Sequence, residues 1–421
     1  MTAPNCPRRT RRPILSGWLP LTVLLSSALV LPASAELPAG DACAECHLEL
    51  DDEAVDVSLF FIADAHGRAG LSCADCHGGD RTMEDEDEAM SEDAGFVGAP
   101  GRLEIPDFCG RCHSDPDYMR GFDPNLPVDQ LTLYRTSLHG QKNLEGDANV
   151  ATCVDCHRAH DIRPPSEPRS SVHPQQIPTT CGRCHTDADL MKEYGIPTDQ
   201  VAEYEKSVHG QSLLSGRDLS APACNDCHGD HGALPPQVGS IFAVCGHCHV
   251  HNRELYSASA KRVAFEDLGE PGCVTCHGNH GIEHPTEEML SLDDSALCSD
   301  CHSDDGSHAS DAILGMRASL DTLRTALTEA EALLDRAEQK GMYVTNIRFE
   351  LQDTRQALFR ARTEVHRFDA DTLAAMCAVG LATADTVKAD SHAALEEFRF
   401  RRNGLAAASL IISIFALSLW R

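Results

Sequence analysis

One short pattern occurs nine times in the sequence: two cysteines three positions apart, with a histidine directly after the second. These C-x-x-C-H motifs account for 18 of the 20 cysteines. We number them motif 1 to motif 9 along the chain. In that order they are Cys43/Cys46/His47, Cys73/Cys76/His77, Cys109/Cys112/His113, Cys153/Cys156/His157, Cys181/Cys184/His185, Cys224/Cys227/His228, Cys245/Cys248/His249, Cys273/Cys276/His277 and Cys298/Cys301/His302.

The spacing within each motif has a chemical reason. Two thiols three positions apart lie on one side of a helical turn, where each can form a thioether with a vinyl group of one haem. The following histidine is then held beneath the iron as its proximal ligand. Zinc sites also use C-x-x-C pairs but need no histidine directly after the second cysteine. Nine copies therefore favour nine covalently attached haem c groups over zinc sites or a disulfide framework.

Further histidines recur at fixed offsets and are candidate distal ligands. An aromatic residue precedes a histidine by five positions in Phe61/His66, Tyr134/His139 and Tyr204/His209, within repeats that each lead to another motif. A histidine also follows the proximal one by three positions at His160, His231 and His280. Twelve histidines lie outside the motifs, enough to fill nine distal positions. The remaining histidine candidates are His173, His251, His284, His308 and His366.

One repeat departs from this pattern. Lys261 stands five residues after Tyr256, where the other copies have a histidine, while Ser259 keeps the register of Ser137 and Ser207. Three alternatives follow: the amine ligates iron, the haem has an open side, or a histidine from elsewhere fills the position. An open or lysine-ligated haem would be the first place to expect catalysis.

The repeated S-x-H-G and C-x-x-C-H-x-x-H segments resemble the multihaem c-type cytochromes of bacterial respiratory chains over roughly residues 40–310. The resemblance implies closely stacked haems, mostly with two histidine ligands, that serve as an electron relay. Two imidazoles leave no free position on iron, which favours electron transfer over catalysis. We therefore expect no catalytic residues in the leading interpretation.

Composition supports a cofactor-filled interior. Only 5% of the 421 residues are aromatic, so large side chains are too few for an ordinary core. We predict a mainly α fold with much irregular chain: a haem-packed multihaem cytochrome c domain, then an α-helical coiled-coil hairpin or bundle, then one C-terminal transmembrane helix. The net charge of −30 argues against a nucleic-acid partner, which would require a basic face.

Residues 1–35 have the features of an export signal. Four arginines precede an apolar stretch, and Ala33-Ser34-Ala35 matches a cleavage site. An uncleaved N-terminal anchor is the alternative. Export predicts a periplasmic location.

Residues 311–402 contain no motif and show helical periodicity. Apolar residues alternate steps of three and four from Ile313 to Ala337, and the spacing resumes after Gly341. This pattern predicts a coiled-coil stalk, whose seam would also allow a homo-oligomer to form. Cys377 is expected to be a small buried residue.

Residues 403–421 include a run of 17 residues without charge, from Gly404 to Trp420. The run is near the lower length limit for a membrane-spanning helix. We interpret it as a C-terminal anchor, with a buried apolar helix as the alternative. The predicted organisation is a signal peptide at 1–35, a nonahaem domain at 36–310, the stalk at 311–402 and the anchor at 403–421.

The leading functional hypothesis is a membrane-anchored periplasmic electron carrier. It would relay electrons between a membrane quinone-reactive subunit and a periplasmic redox acceptor, in either direction. The alternative is a multihaem reductase of a nitrogen or sulfur oxyanion, with one open or lysine-ligated haem.

Overall fold

The computed structural model describes residues 41–49, 54–294 and 296–421, so the predicted export signal lies outside the described residues. The described chain is helical with many irregular segments and has no strand, which confirms the predicted mainly α class. The helices are α1 Ala42–Glu49, α2 Ala54–Ala63, α3 Ala65–Arg68, α4 Cys73–His77, α5 Glu86–Ala89, α6 Ile105–His113, α7 Pro116–Met119, α8 Gln130–Thr136, α9 Leu138–Leu144, α10 Cys153–His157, α11 Ile177–His185, α12 Ala188–Tyr194, α13 Gln200–Lys206, α14 Val208–Gly210, α15 Cys224–His228, α16 Val238–Cys248, α17 Val250–Ser257, α18 Ala260–Leu268, α19 Cys273–His277, α20 His308–Gln339, α21 Thr345–Glu364 and α22 Ala370–Trp420.

The even-numbered motifs 2, 4, 6 and 8 each form a helix of only five residues, α4, α10, α15 and α19. The residue after each histidine has a positive φ: 69° at Gly78, 66° at Arg158, 84° at Gly229 and 71° at Gly278. This conformation, which is uncommon for a residue such as arginine, ends the helix and turns the chain sharply.

The odd-numbered motifs 3, 5 and 7 lie at the C-terminal ends of longer helices, α6, α11 and α16. Pro106 and Pro178 occupy the first turns of α6 and α11, where proline is tolerated because those N–H groups have no helical partner. Motif 9 does not begin with an α-helix. Its first residues form a 3₁₀ turn, Leu297–Asp300.

The three long helices α20, α21 and α22 pack against one another as a bundle. Leu323, Leu351 and Leu373 are fully buried in its core, and each such leucine contributes roughly 1.5–3 kcal/mol to stability. Cys377 is buried there as expected. A Cβ at Gly380 would lie 2.9 Å from Leu323, so this glycine permits close approach of two helices.

The residues of the predicted seam on α20 are all buried between the helices of this single chain. They are Ile313, Met316, Leu320, Leu323, Leu327, Ala330, Leu334 and Ala337. The coiled coil itself stays a prediction. Positive φ values of 77° at Gly341 and 55° at Phe368 allow the two turns of the bundle.

The bundle contacts the motif-bearing part of the chain directly. Glu287 accepts hydrogen bonds from Arg362 Nε at 2.8 Å and Nη2 at 2.6 Å. Arg324 Nε lies 4.0 Å from the same carboxylate. Helix α17 packs against α21 and against the 3₁₀ turn Val365–Arg367. The bundle is therefore fixed to the region of motifs 7 and 8.

Helix α22 continues past the bundle without interruption and spans 51 residues. At a rise of 1.5 Å per residue its length is about 75 Å. The last 23 residues of the chain, 399–421, are exposed throughout, and the apolar run from Gly404 to Trp420 lies among them. By length and composition this helix could cross a membrane. The alternative of a buried apolar helix is not what the structure shows.

Candidate haem-binding sites

None of the described cysteines forms a disulfide, so disulfide bonds do not compete for the motif thiols there. Carboxylates fix the start of three of the short motif helices. Asp75 accepts the backbone N–H of Ser72 at 2.6 Å, and Asp155 accepts that of Thr152 at 2.7 Å. Asp226 does the same at Ala223, at 2.7 Å. A five-residue helix is marginal by itself, so these caps help to hold both thiols and the histidine on one turn.

The two attachment thiols of motif 1 differ in their exposure on the polypeptide. Cys46 is exposed, whereas Cys43 of the same motif is half-buried. The cause lies in α1, which buries Ala44, because a residue two positions further on lies about 200° round the helix and faces solvent. The predicted attachment of haem at Cys46 stays a prediction.

The same asymmetry recurs in other motifs. The first cysteine of every motif is half-buried, while the second is exposed in four motifs besides motif 1. These exposed second cysteines are Cys156, Cys227, Cys248 and Cys301. The protein interior therefore encloses the first thiol of each motif more consistently than the second.

Seven proximal histidines each face one candidate distal histidine. The pairs, with the proximal residue second, are His160 with His77 at 6.1 Å between ring centroids, His66 with His113 at 5.9 Å, His231 with His157 at 6.0 Å, His139 with His185 at 6.2 Å, His280 with His228 at 5.9 Å, His209 with His249 at 6.2 Å and His366 with His277 at 6.1 Å.

The uniform separation of these rings fits a shared metal. Two imidazoles that bind one iron, each through a bond of about 2 Å, have ring centroids about 6 Å apart. Aromatic rings in direct contact have centroids spread over about 4.5–7 Å, whereas these seven distances all lie between 5.9 and 6.2 Å. The residues present therefore fit haem iron with two axial histidines.

The pairing follows a simple order along the chain. For an even-numbered motif, the partner of the proximal histidine follows the next even-numbered motif. His77 of motif 2, for example, pairs with His160, which follows motif 4. For an odd-numbered motif, the partner of the proximal histidine precedes the even-numbered motif just before. His185 of motif 5, for example, pairs with His139, which precedes motif 4. Each repeat therefore exchanges ligands with its neighbours and cannot complete its own sites.

Local hydrogen bonds position the histidines that precede a motif. Ser137 Oγ donates to the carbonyl of Tyr134 at 2.6 Å and accepts the N–H of Gly140 at 2.9 Å. Ser207 makes the same two bonds, with Tyr204 and Gly210. The tyrosine hydroxyls also anchor these turns, since Tyr134 donates to the carbonyl of Ala151 at 2.9 Å.

The position after each of these histidines has room for glycine but not for a side chain. A Cβ would lie 1.9 Å from the Tyr134 carbonyl oxygen at Gly140 and 2.0 Å from that of Tyr204 at Gly210. It would lie 2.2 Å from the carbonyl oxygen of Phe61 at Gly67. The serine is less restricted. Asp64 replaces it in the first copy and accepts the N–H of Gly67 at 3.1 Å.

The sharp turns after the even-numbered motifs position the other distal histidines. His160, His231 and His280 each follow a residue of positive φ by two positions. Each therefore leaves the motif helix in a new direction and faces a proximal ring of another motif.

His366 comes from the bundle instead of from a repeat. It lies in the 3₁₀ turn Val365–Arg367, and its Nδ1 donates to the carbonyl of Thr363 at 2.9 Å. A carbonyl partner of this kind fixes the tautomer and turns the other ring nitrogen toward a metal. Asn252 of α17 contacts the same ring at 3.4 Å. Neither Asn252 nor the Thr363 carbonyl could be recognised in the sequence, because both act only through the fold.

Lys261 faces the proximal histidine of motif 9. Its Nζ lies 3.1 Å from His302 Nε2. Lys261 has the position in the order of pairing that His66, His139 and His209 have for motifs 3, 5 and 7.

Four candidate distal histidines make other contacts. His173 is buried, and its Nδ1 accepts the N–H of Gln175 at 3.2 Å. His251 is exposed and lies 3.8 Å from Glu254. His284 contacts the carbonyl of Pro285, and His308 begins α20. None of the four has a ring contact with a proximal histidine within the described chain.

His47 of motif 1 has no facing ring among the described residues, and its Nδ1 is buried without a hydrogen-bond partner there. The order of pairing would take its partner from a segment before a preceding motif. The chain has no motif before motif 1.

Motifs that follow one another along the chain are also neighbours in space. The thiols of Cys109 and Cys153, Cys181 and Cys224, and Cys245 and Cys273 lie within hydrogen-bond reach of one another. Burial is the main cause of the raised pKa of five other thiols. The charge of a thiol in an adjacent motif raises the pKa of each further. They are Cys73 beside Cys43, Cys76 beside Cys112, Cys156 beside Cys181, Cys227 beside Cys245 and Cys276 beside Cys298. In each consecutive pair of motifs, from motif 1 to motif 9, a thiol of one motif therefore lies near enough to a thiol of the next for their charges to interact.

Burial also sets the charge of the paired histidines. It is the main cause that lowers the pKa of His113, His139, His157, His185 and His277. A histidine with a lowered pKa is neutral near pH 7. Neutral imidazole is the form that binds a metal, so these sites are prepared for iron.

Paired imidazoles about 6 Å apart beside C-x-x-C-H thiols define a multihaem c-type cytochrome. Comparison with known families agrees with this class. The chain matches the family model of cytochrome c3 over residues 65–186 and that of the doubled CXXCH motif over residues 267–307. No curated protein and no solved structure matches it. The chain is therefore a multihaem c-type cytochrome that binds haem c covalently and transfers electrons.

Proposed function

We propose that this protein carries nine haems, one at each motif, and relays electrons between a quinone-linked partner in the membrane and a redox partner in the periplasm. The observation that carries the proposal is the set of seven facing histidine pairs, which link motifs along the chain, together with the direct contacts between consecutive motif helices such as α6 with α10 and α10 with α11.

Haem c, when bound, supplies a one-electron redox centre at each site. The two cysteines of a motif hold the group, and the proximal histidine orients it. In seven sites a second histidine faces the proximal one, so the chain itself would supply two histidine ligands to a bound iron. Filled axial positions exclude water and small substrates, which supports electron transfer in place of catalysis.

The C-terminal helix supports a location at the membrane surface. Residues 399–421 are exposed, and the apolar part of this segment is long enough to enter a bilayer. The same helix begins in the bundle, which contacts motifs 7 and 8. A membrane anchor at this end would therefore bring the line of motifs close to a quinone-linked partner.

The number of haems can be counted directly. Thioether bonds survive denaturation, so the mass of the intact chain reports how many haems are attached. We expect nine in the wild type and eight when Cys298 and Cys301 are both changed to alanine. A wild-type mass that corresponds to eight or fewer haems would contradict the proposal, and the motif that lacks haem could be found by mapping peptides.

A further inference from the structure

Motif 9 obeys the order of pairing but lacks a histidine in the partner position. Motifs 3, 5 and 7 each take a distal histidine from the segment that precedes the motif before them. For motif 9 the corresponding segment leads to motif 8, and the residue in register is Lys261. The structure brings its Nζ to within 3.1 Å of His302 Nε2.

We propose that Lys261 is the sixth ligand of the iron bound by His302, so that one site of mixed histidine and lysine ligation ends a line of histidine-ligated sites. The inference rests on the proposed attachment of haem at Cys298 and Cys301. A neutral lysine amine is a competent iron ligand, and its long stem can adjust to the metal.

The local structure around Lys261 is that of the histidine copies. Ser259 Oγ donates to the Tyr256 carbonyl at 2.7 Å, as Ser137 does to Tyr134 and Ser207 to Tyr204. Ser259 also accepts the N–H of Arg262, the residue after Lys261. The segment is therefore built to present the residue at position 261 to a proximal histidine.

A second substitution accompanies the lysine. Arg262 stands where the other copies have a glycine, at a position where a Cβ would lie 1.9–2.2 Å from a carbonyl oxygen. The hydrogen bond from the Arg262 N–H to the serine is 3.3 Å long, against 2.9 Å at Gly140 and 3.0 Å at Gly210. The Cβ of Arg262 thus opens the turn, and the longer lysine side chain spans the added distance.

The surroundings of Lys261 favour a ligand over an ion pair. The lysine is partly buried, and its Nζ lies 4.8 Å from the ring centroid of Phe265, which is buried. Among the described residues no carboxylate forms a salt bridge with it, whereas Lys388 has two such partners. The hydrogen-bond contact of its Nζ is with the His302 ring and not with a carboxylate, which suits a second ligand to the same iron better than an ion pair.

The separation of the two nitrogens requires one adjustment. Nitrogens on opposite sides of one iron lie about 4 Å apart, so Nζ must retract by about 1 Å from the observed position. Rotation about the four-carbon stem of lysine provides this movement without a shift of the backbone.

Near-infrared magnetic circular dichroism of the oxidised full-length protein tests the inference. Charge-transfer bands of low-spin haem differ between histidine/histidine and histidine/lysine ligation. We expect one histidine/lysine band beside the bands of the histidine-ligated sites. In Lys261→Ala this band should disappear, and low-temperature EPR should show one additional high-spin haem, with the haem count unchanged.

Two variants complete the test. His209 has the position of Lys261 in the preceding repeat. His209→Ala should therefore open the haem site of motif 7 and leave the histidine/lysine band intact. The double variant Lys261→His with Arg262→Gly should replace that band by a histidine/histidine band and keep the site low-spin. A wild-type protein with nine haems but no histidine/lysine band, or a Lys261→Ala spectrum equal to that of the wild type, would overturn the inference. Eight haems in the wild type, with motif 9 unmodified, would instead overturn the proposed function.

Discussion

His366, in the turn between α21 and α22, faces His277 of motif 8 with 6.1 Å between the ring centroids. A residue of the helical bundle thus takes the position that a histidine after a tenth motif would have in the order of pairing. The bundle therefore completes a site of the redox chain in addition to linking the motifs to the C-terminal helix. The carbonyl of Thr363 fixes the ring of His366 in this role.

Changing His366 to alanine should open one haem site. The bundle core does not depend on this side chain, so we expect the protein to fold with its full number of haems. Low-temperature EPR should show one haem in nine converted to high-spin, and that haem should bind cyanide. His392→Ala is the matched control, because His392 is an exposed histidine of the same bundle and should leave the spectrum unchanged. An unchanged spectrum of His366→Ala would show that the bundle supplies no ligand.

The glycine that follows a distal histidine should tolerate alanine at one position and not at another. In Gly140→Ala the new Cβ would meet the Tyr134 carbonyl oxygen at 1.9 Å, so the turn must open and displace His139. Such overpacking costs about 1–3 kcal/mol. Gly232→Ala is the control: it also follows a histidine, but its Cβ would have only ordinary contacts at 3.7 Å and beyond.

Thermal unfolding and EPR of these two variants check this prediction. Gly140→Ala should unfold at a lower temperature and show partial high-spin character at one haem. Gly232→Ala should match the wild type in both measurements. Equal behaviour of the two variants would mean that the close approach to Tyr134 does not position His139.

The core of the bundle should be sensitive to truncation at its centre. Leu323 is fully buried between the helices, so Leu323→Ala should lower the free energy of unfolding by about 2–5 kcal/mol. Leu314, on the same helix, is 39% exposed, and Leu314→Ala should cost less than about 0.5 kcal/mol. Chemical denaturation followed by far-ultraviolet circular dichroism measures both. A similar midpoint for the two variants would contradict the observed packing of α20.

The apolar end of α22 should bind the protein to membranes. A chain that ends at residue 402 should appear in the soluble fraction with all its haems, because the removed segment is exposed and supports no packing. Ile412→Lys places a charge near the middle of the apolar run at a cost of about 2.5–3.5 kcal/mol and should weaken membrane association in the full chain. Separation of membrane and soluble fractions, followed by staining for covalent haem, gives the result. Soluble wild-type protein would refute the anchor.

The sequence was sufficient to predict the class of fold, and the nine attachment sites stay a prediction. The motifs recur as one repeated pattern, and helices α20 and α21 follow from the regular spacing of apolar residues that begins at Ile313 and resumes after Gly341. The candidate distal histidines were also recognisable, because His66, His139 and His209 repeat at one offset and His160, His231 and His280 at another.

The partner of each distal histidine could not be predicted in the same way. His139 precedes motif 4 but faces His185 of motif 5, and His160 follows motif 4 but faces His77 of motif 2. This exchange between repeats depends on how the motif helices pack and not on local spacing. His366 was even less accessible, since it lies beyond the last motif and reaches His277 only because α17 contacts the turn Val365–Arg367.

The exposure of individual thiols was equally hidden from the sequence. Cys43 and Cys46 belong to one motif, yet the first is half-buried and the second is exposed. Which face of α1 packs against the rest of the chain decides this difference, and the motif itself is the same in all nine copies.

The claim that the chain fills its own axial positions is tested most directly by low-temperature EPR on the oxidised, full-length protein, with haems counted by mass in the same sample. Seven histidine pairs and the pair of Lys261 with His302 predict eight low-spin haems among nine, with the haem of motif 1 alone unassigned. Added nitrite, sulfite or cyanide should leave the signals of those eight unchanged. Two or more high-spin haems that respond to such ligands would contradict the relay and indicate an enzyme.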